Sequence, residues 1–463
     1  MFNTVVGIII GLISLSLMML LHELGHYVAG RLLGFKVIEF SLFMGPRIFS
    51  KVYKGIRYSI KSLPIGASVE FAGEYPTMDN KLNPNQIASE KLNTEEAANS
   101  DDDLTPAEIL ARDKAAGIFY AQAKWKRFIV MAAGPAMNLI SGFIAFTLFF
   151  AWTTAKSTEL LPPPPMSTAA AAHLIAGDKI ISYNGFNIKT DMDLLVAQKF
   201  PAQPEGRLLR YERSENGRKV VKEVYLADKK YKFLQLNVTG QIVADKFVVE
   251  GSSNPAILPK DEIISVDGEK LTSIPRLYKG DAAPKSIIAA KVKLLRNGKE
   301  VTVNADQTVR EIPADPGIYL KPVKGFAAVL SYSADFFVSV FTSTYNMLGL
   351  LFNGQLPAKD ALAGPVGIVS IYSQINQAGV ILWEKFLHFT QIFALISLSL
   401  GMCNFLPIPP LDGSQIFLLL IEAVRGKRLS EKWENIYGYL GLVIVLGLAL
   451  FTLFLDVLRL FRH

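Results

Sequence analysis

His22, Glu23 and His26 stand at the end of a stretch, Thr4 to Leu21, that carries no charge and is almost wholly apolar. On a helix, residues four apart share a face, so the two imidazoles can reach one ion while Glu23 sits beside them. Zinc suits that arrangement, since it takes nitrogen ligands at roughly 2.0–2.1 Å in a tetrahedral set and leaves one position for water in a catalytic site. Glu23 is then placed to accept a proton from that water and pass it to a leaving amine. Position sharpens the signal, because an ionisable group at membrane depth costs on the order of 2.5–3.5 kcal/mol, and a bound metal offsets that. The plainer reading is that the three residues end a membrane span as ordinary interfacial polar groups.

A site of this kind needs a further donor. The other histidines are His173, His388 and His463, and none is expected at the same end of a span. Asp412 is, within "NFLPIPPLDGS", where Pro407, Pro409 and Pro410 forbid a regular helix after Asn404. Irregular backbone at membrane depth is tolerated only where protein or a polar cavity surrounds it. Asp412 is therefore expected as the third ligand, with a cap on a helix over Ser414 to Ile421 as the alternative.

The elements that must hold these residues read as membrane spans. Besides the first segment, Phe128 to Ala155, Phe386 to Leu411 and Ile436 to Leu455 are apolar and free of formal charge, in a chain that is 50% hydrophobic. Runs of about 18 or more such residues can cross the hydrocarbon layer. The expectation is a polytopic α-helical membrane protein with four transmembrane helices. The first segment is expected to be retained rather than removed as a signal peptide, because no basic residue precedes it and no small-residue cleavage site follows. The net charge of +7 does not point to nucleic acid, because the basic residues cluster beside the apolar segments. By the positive-inside rule, residues 36–123 and 422–435 face the cytoplasm and 156–380 face outward. Cys403, the only cysteine, excludes an internal disulfide and reads as core filler.

Between the spans, residues 36–73 alternate β-branched and aromatic residues with Gly and Pro, as in "RYSIKSLPIGASVEFAG", and predict a small sheet close to the membrane. Gln86 to Lys114 is an acidic connector with a short helix expected from Thr105. Beyond the stiff spacer Pro162 to Pro165 lies a repeat: "GDKIISYNG" and "KDEIISVDG" align Asp178 with Asp261, and "ERSENGRKVV" matches "LLRNGKEVTV" at a similar step. Each copy is the size of a small domain and resembles a PDZ domain, a module that binds peptides along a sheet edge. Two β-rich spacers without peptide binding are the alternative. Residues 326–355 read as helices lying on the outer membrane surface.

Taken together, "HELGH", "GFKVIEFSLFMGPRIF", "SLPIGASVEFAGE", "AAGPAMNLISG", "LAGPVGIVSI" and "NFLPIPPLDG" resemble the site-2 proteases. These are intramembrane zinc metalloproteases, here of the bacterial type with two PDZ domains, similar to the regulator of sigma-E protease. The resemblance implies that His22, His26 and Asp412 bind one catalytic zinc and that Glu23 is the base. It implies that Asn404 and Pro407, the Gly134, Pro135, Asn138 motif, and Gly66 and Val69 of a re-entrant β-loop over 62–73 line the site or hold substrate. Ala67, Ser68 and Ala363 depart from the family's usual residues. The implied location is the bacterial cytoplasmic membrane, with substrates such as trimmed anti-sigma factors or signal-peptide remnants and an upstream protease of site-1 type. A silent membrane scaffold displaying two PDZ-like domains is the main alternative, and a metal transporter is disfavoured because no inverted repeat of the spans is visible.

The expected division is 1–34, first span with the His-Glu-x-x-His motif; 35–80, β region; 81–123, acidic linker; 124–155, second span; 156–231 and 232–313, the two PDZ-like domains. Then follow 314–380, membrane-surface helices; 381–413, third span with the Leu-Asp-Gly motif; 414–435, cytoplasmic segment; and 436–463, fourth span and tail.

Overall fold

Thirty-two residues without an interruption by proline form α1 (Phe2–Leu33), which ends where Gly34 turns left-handed. In the computed structural model of the chain, the described residues are 2–74, 105–165, 167–227, 230–243, 246–270, 276–278, 282–357, 364–377 and 380–460. Most of the acidic connector and Ala363 lie outside them. The chain divides into two compact units, Met1–Ala155 with Pro322–His463, and Lys156–Lys321.

After α1 comes an antiparallel hairpin, β1 (Val37–Tyr53) and β2 (Ile56–Phe71), turned by Lys54 and Gly55, both at positive φ as a two-residue hairpin turn requires. The two strands fold back so that residues 39–42 pair with both 57–60 and 67–70, which gives the small sheet expected over 36–73. Glu39 is buried between them. Burial pushes its carboxyl up, but the Arg47 guanidinium and the Ser59 hydroxyl that donate to it hold it below the usual range. A capping box of Thr105 and Glu108 starts α2 (Pro106–Ala115) at the expected residue. Helix α3 (Lys124–Trp152) completes this part.

The second unit contains two antiparallel sheets. One is built from β3 (Ala155–Leu160), β4 (Lys179–Tyr183), β5 (Phe186–Asn187), β6 (Arg207–Glu215) and β7 (Arg218–Leu226), with the short helices α4 (Thr168–Ala171) and α5 (Asp191–Ala197). The other uses β8 (Lys230–Gln235), β9 (Val238–Val243), β10 (Lys246–Ser252), β11 (Glu262–Val266), β12 (Glu269–Lys270), β13 (Arg276–Tyr278), β14 (Ile287–Arg296) and β15 (Lys299–Pro313). The strand β16 (Leu320–Val323) then returns to pair with β3, giving the order β16-β3-β4-β6-β7; the other sheet runs β13-β8-β15-β14-β11-β10-β9. The first sheet therefore closes with residues beyond the expected boundary at 231. Each sheet has its own apolar core, one around Ile180, Tyr183 and Leu209, the other around Ile263, Val266 and Val292.

These cores correspond position by position. Ile180 pairs with Tyr211 and Tyr183 with Leu209, as Ile263 pairs with Leu294 and Val266 with Val292, and both pairings slip at the following serine, Ser182 or Ser265. Asp178 takes two bonds from Arg213, and Asp261 two from Arg296; each arginine lies 35 residues after its aspartate. In both copies the same arginine also donates to a carbonyl 40 residues earlier, that of His173 or Ala256.

The chain continues with α6 (Phe326–Phe352), α7 (Pro365–Gln377), α8 (Leu382–Asn404), α9 (Asp412–Arg425) and α10 (Glu431–Leu460). Among the described residues five helices, α1, α3, α6, α8 and α10, are long and apolar enough to cross a membrane, one more than the four spans expected. The addition is α6, which the sequence presents as surface helices because Ser and Thr interrupt its apolar residues. In the structure those hydroxyls fold back on their own helix: Ser333, Ser339 and Thr344 each donate to the carbonyl four residues earlier, which hides their polarity. Cys403, expected in the core, is exposed; on a helix with an apolar outer face a small thiol needs no burial. Buried Asp456 of α10 accepts from the amides of Gly364 and Gly367 at the start of α7. Helix α7 in turn lies against α1, where Ser14 and Tyr372 share a hydrogen bond of 2.6 Å.

Candidate metal centre

The regular turn of α1 carries His22 and His26 to one side, where α3 packs, and both are buried. Small residues allow that approach: a Cβ on Gly25 would lie 2.3 Å from the Ala133 carbonyl, and one on Gly134 only 2.1 Å from His26 Nε2. His26 Nδ1 stands 2.8 Å from the Val130 carbonyl. A carbonyl only accepts, so Nδ1 carries the proton and Nε2 presents a lone pair. Pro135, inside α3, has no N–H to return to this stretch of the helix and leaves its carbonyl ladder open.

Asp412 is the first residue of α9, directly after the proline-broken segment that follows α8. Its neighbour Leu411 takes the N-cap position without a side-chain cap bond, and the Asp412 carboxylate turns to the histidines instead. Oδ2 lies 2.9 Å from His22 Nε2 and 3.4 Å from His26 Nε2, and the two Nε2 atoms are 3.2 Å apart. Oδ2 is buried and has no hydrogen-bond donor of good geometry. His26 Nε2 and Asp412 Oδ2 both accept, and the pair repels unless a cation joins them. Tetrahedral ligands at roughly 2.0–2.1 Å from zinc lie about 3.3–3.4 Å from each other. The three separations observed are close to that spacing, and two imidazoles with one carboxylate are a donor set that zinc accepts. The residues present fit the ion.

Partners surround each of these groups. The Asn138 and Asn404 side-chain amides both come to 3.3 Å from His22 Nδ1, each with Nδ2 as the nearer atom, and turning an amide over exchanges its nitrogen for its oxygen there. Asn138 is fully buried with Oδ1 unpartnered, and the amide orientation that points oxygen at Nδ1–H leaves His22 Nε2 free for an ion. Glu23 is half-buried, and its Oε2 accepts from the Val69 N–H at 2.9 Å, so β2 fixes the carboxylate and leaves Oε1 available. Gly66 sits at φ 86°, a conformation glycine tolerates, with its missing side chain facing Met19 and Met44. Pro407 is not gathered into this cluster; it is exposed, and its carbonyl accepts from Tyr437 Oη of α10 at 2.7 Å.

Two further residues, not singled out from the sequence, hold α9 in place. Arg127 of α3, buried, donates to the Glu422 carboxylate at 2.8 Å, and Lys124 Nζ donates to the Glu422 carbonyl at 2.9 Å. Arg127 was visible in the sequence only as part of a basic cluster that orients a span. The signal it shares with Glu422 is a lone acid directly after the apolar run 416–421, near the end of α9.

A family model described as peptidase family M50 matches residues 10–448. Similar proteins include the zinc metalloprotease RasP of Bacillus licheniformis, 26% identical over 99% of this chain and 100% of its own. The regulator of sigma-W protease RasP of Bacillus subtilis is 25% identical, over 99% of both chains. The matched region contains His22, His26, Asn138, Asn404 and Asp412, every residue that contributes a group to the cluster or fixes the His22 ring, and the chain belongs to peptidase family M50.

Proposed function

We propose that this chain is an intramembrane zinc endopeptidase that cuts single-span membrane proteins inside their membrane segment. The observation that carries this reading is the meeting of His22 Nε2, His26 Nε2 and Asp412 Oδ2 within a bundle of helices apolar enough to cross a membrane. His22, His26 and Asp412 hold the zinc, and Asn138 and Asn404 fix the His22 ring. The ion supplies Lewis acidity, which makes water acidic enough to attack a peptide carbonyl near neutral pH. Glu23, oriented through Oε2 by Val69, takes the proton from water at Oε1 and delivers it to the departing amine.

A helical substrate must unwind before its peptide bonds can be attacked, because they are hydrogen-bonded and screened. Among the described residues the β1–β2 hairpin pairs only with itself, and since residues 39–42 are paired on both sides, the open edges are those of 47–53 and 67–71, to which an extended segment can add. Gly66 and Val69 lie on the strand that touches Glu23 and are assigned to substrate. Pro407 is assigned to shaping the loop that carries Asp412 rather than to direct contact.

The orientation expected from the basic clusters sets the cluster near the cytoplasmic face of a bacterial cytoplasmic membrane and the sheet-rich unit outside. Substrates of the anti-sigma-factor type, trimmed outside by another protease, and signal-peptide remnants fit this geometry. The sigma-W regulator named among the relatives supports that route. The two sheets, read as PDZ-like, screen the outer portion of substrates by size. The test is purified protein in detergent with single-span substrates, with and without a zinc chelator, and mapping of new termini. Cleavage inside the span that stops with chelator is the expected result; chelator-resistant cleavage, or cuts only in soluble loops, rejects the reading.

A further inference from the structure

Between α9 and the start of α10 lies a cleft of about 620 Å³ that no step of hydrolysis uses. Its walls are apolar and aromatic: Phe417, Leu418 and Ile421 from α9, and Trp433 from α10. The same cleft is lined by Arg425, Lys427 and Arg428, all exposed. Arg428 shares the Glu422 carboxylate at 3.5 Å, but that acid is already held at 2.8 Å by Arg127. The cations of Arg425 and Lys427 have no acidic partner among the described residues.

Height along the helices gives this chemistry its meaning. The apolar span of α10 begins at Lys432, so the cleft stands where the bundle meets the headgroup layer. There a greasy wall beneath a cationic rim matches an amphiphile with an anionic head: acyl carbons cover Phe417 and Trp433, and a phosphate meets Arg425 and Lys427. Tryptophan and tyrosine at that level are placed as interfacial aromatics usually are. A soluble peptide would satisfy the charge but not the apolar wall, and a neutral lipid would leave the cations unmatched.

We propose that this cleft is a binding site for an anionic phospholipid. One wall adjoins the segment that carries Asp412, since Tyr437, which also lines the cleft, donates to the Pro407 carbonyl at 2.7 Å.

Full-length protein in nanodiscs of phosphatidylcholine, doped with a small fraction of lipid brominated on its acyl chains, provides the test. Brominated phosphatidylglycerol should quench the Trp433 signal, identified by its loss in Trp433→Phe, with a preference over brominated phosphatidylcholine of roughly thirtyfold in lipid fraction, the order that two basic residues give near an anionic head. In Arg425→Gln/Lys427→Gln, both changes at exposed positions, the preference should fall to about twofold or less. Equal quenching by the two lipids, or an unchanged preference in the double variant, would overturn the site. Inorganic phosphate at matched ionic strength should not reverse the quenching; reversal would assign the cations to a free anion and reject the lipid.

Discussion

Asp178 and Asp412 are both carboxylates withdrawn from water, yet their surroundings are opposite. Asp178 accepts from Arg213 Nε and Nη2, each at 2.7 Å, and from the Ile175 N–H at 2.9 Å. Every lone pair facing the protein has a donor, and the same pattern recurs at Asp261 with Arg296 and the Leu258 N–H. Asp412 instead faces two imidazole nitrogens, at least one of which offers a lone pair rather than a proton. A buried charge that its own fold satisfies is architecture, whereas one left facing acceptors demands something from outside. That contrast separates the unit that is built to be stable from the unit that is built to hold an ion.

The comparison breaks if the two aspartates respond alike. Asp412→Ala should remove most of the bound zinc and bring proteolysis to background, with little change in the resistance of the sheet-rich unit to urea. Zinc content and turnover of the purified variant check this. Gly134→Ala should come next in size, since its methyl would occupy the space 2.1 Å from His26 Nε2 and push the imidazole off the ion. A fall in zinc affinity with intact helical circular dichroism is expected; normal zinc binding would show that α3 can retreat.

Asp178→Ala should do the reverse. Breaking a buried pair costs about 3 kcal/mol, because Arg213 loses its partner while only 17% exposed. Urea unfolding of the full chain, followed by proteolysis within 156–321, should register that loss while zinc content stays normal. Asp261→Ala should cost less, since Arg296 is 29% exposed and can turn to water.

The smallest effect sharpens the same contrast through pH. The Arg296 guanidinium that donates to Asp261, aided by the Leu258 amide and opposed by burial, holds this carboxyl below the usual carboxylate range. A lowered folded-state value means its stabilisation is fully present above the unfolded value of about 4 and is lost as pH falls through the lowered one. The urea midpoint of the sheet-rich unit should therefore decline on acidification below about pH 4, and Asp261→Asn should flatten part of that decline. An unchanged acid limb in the variant would show that other carboxylates account for it.

How much of this was legible in the sequence follows the same division between local and long-range causes. His22, Glu23 and His26 could be read because helical spacing fixes their relation within a few residues. Asp412 could be read because prolines announce broken backbone beside a lone acid. The aspartates of the two sheets and their arginine partners were visible as two repeated stretches, but the pairing between them was not, since 35 residues separate each pair and no local period links them. The Arg127–Glu422 clamp was hidden for the same reason at greater distance. The capacity of α6 to cross a membrane was missed because composition counts a hydroxyl as polar, while a helix can satisfy it with its own carbonyl. Pro407 carried a motif signal that did not say which way its carbonyl would face.

The most direct test of the central claim is Glu23→Gln, with zinc content and substrate turnover measured on the same preparation. Glu23 contacts the Val69 amide and not the cluster of His22, His26 and Asp412, and the amide side chain can keep that contact. The account predicts zinc bound at the wild-type level and turnover lower by roughly 10²–10⁴-fold, the usual contribution of a positioned base. Near-normal proteolysis in this variant would contradict it.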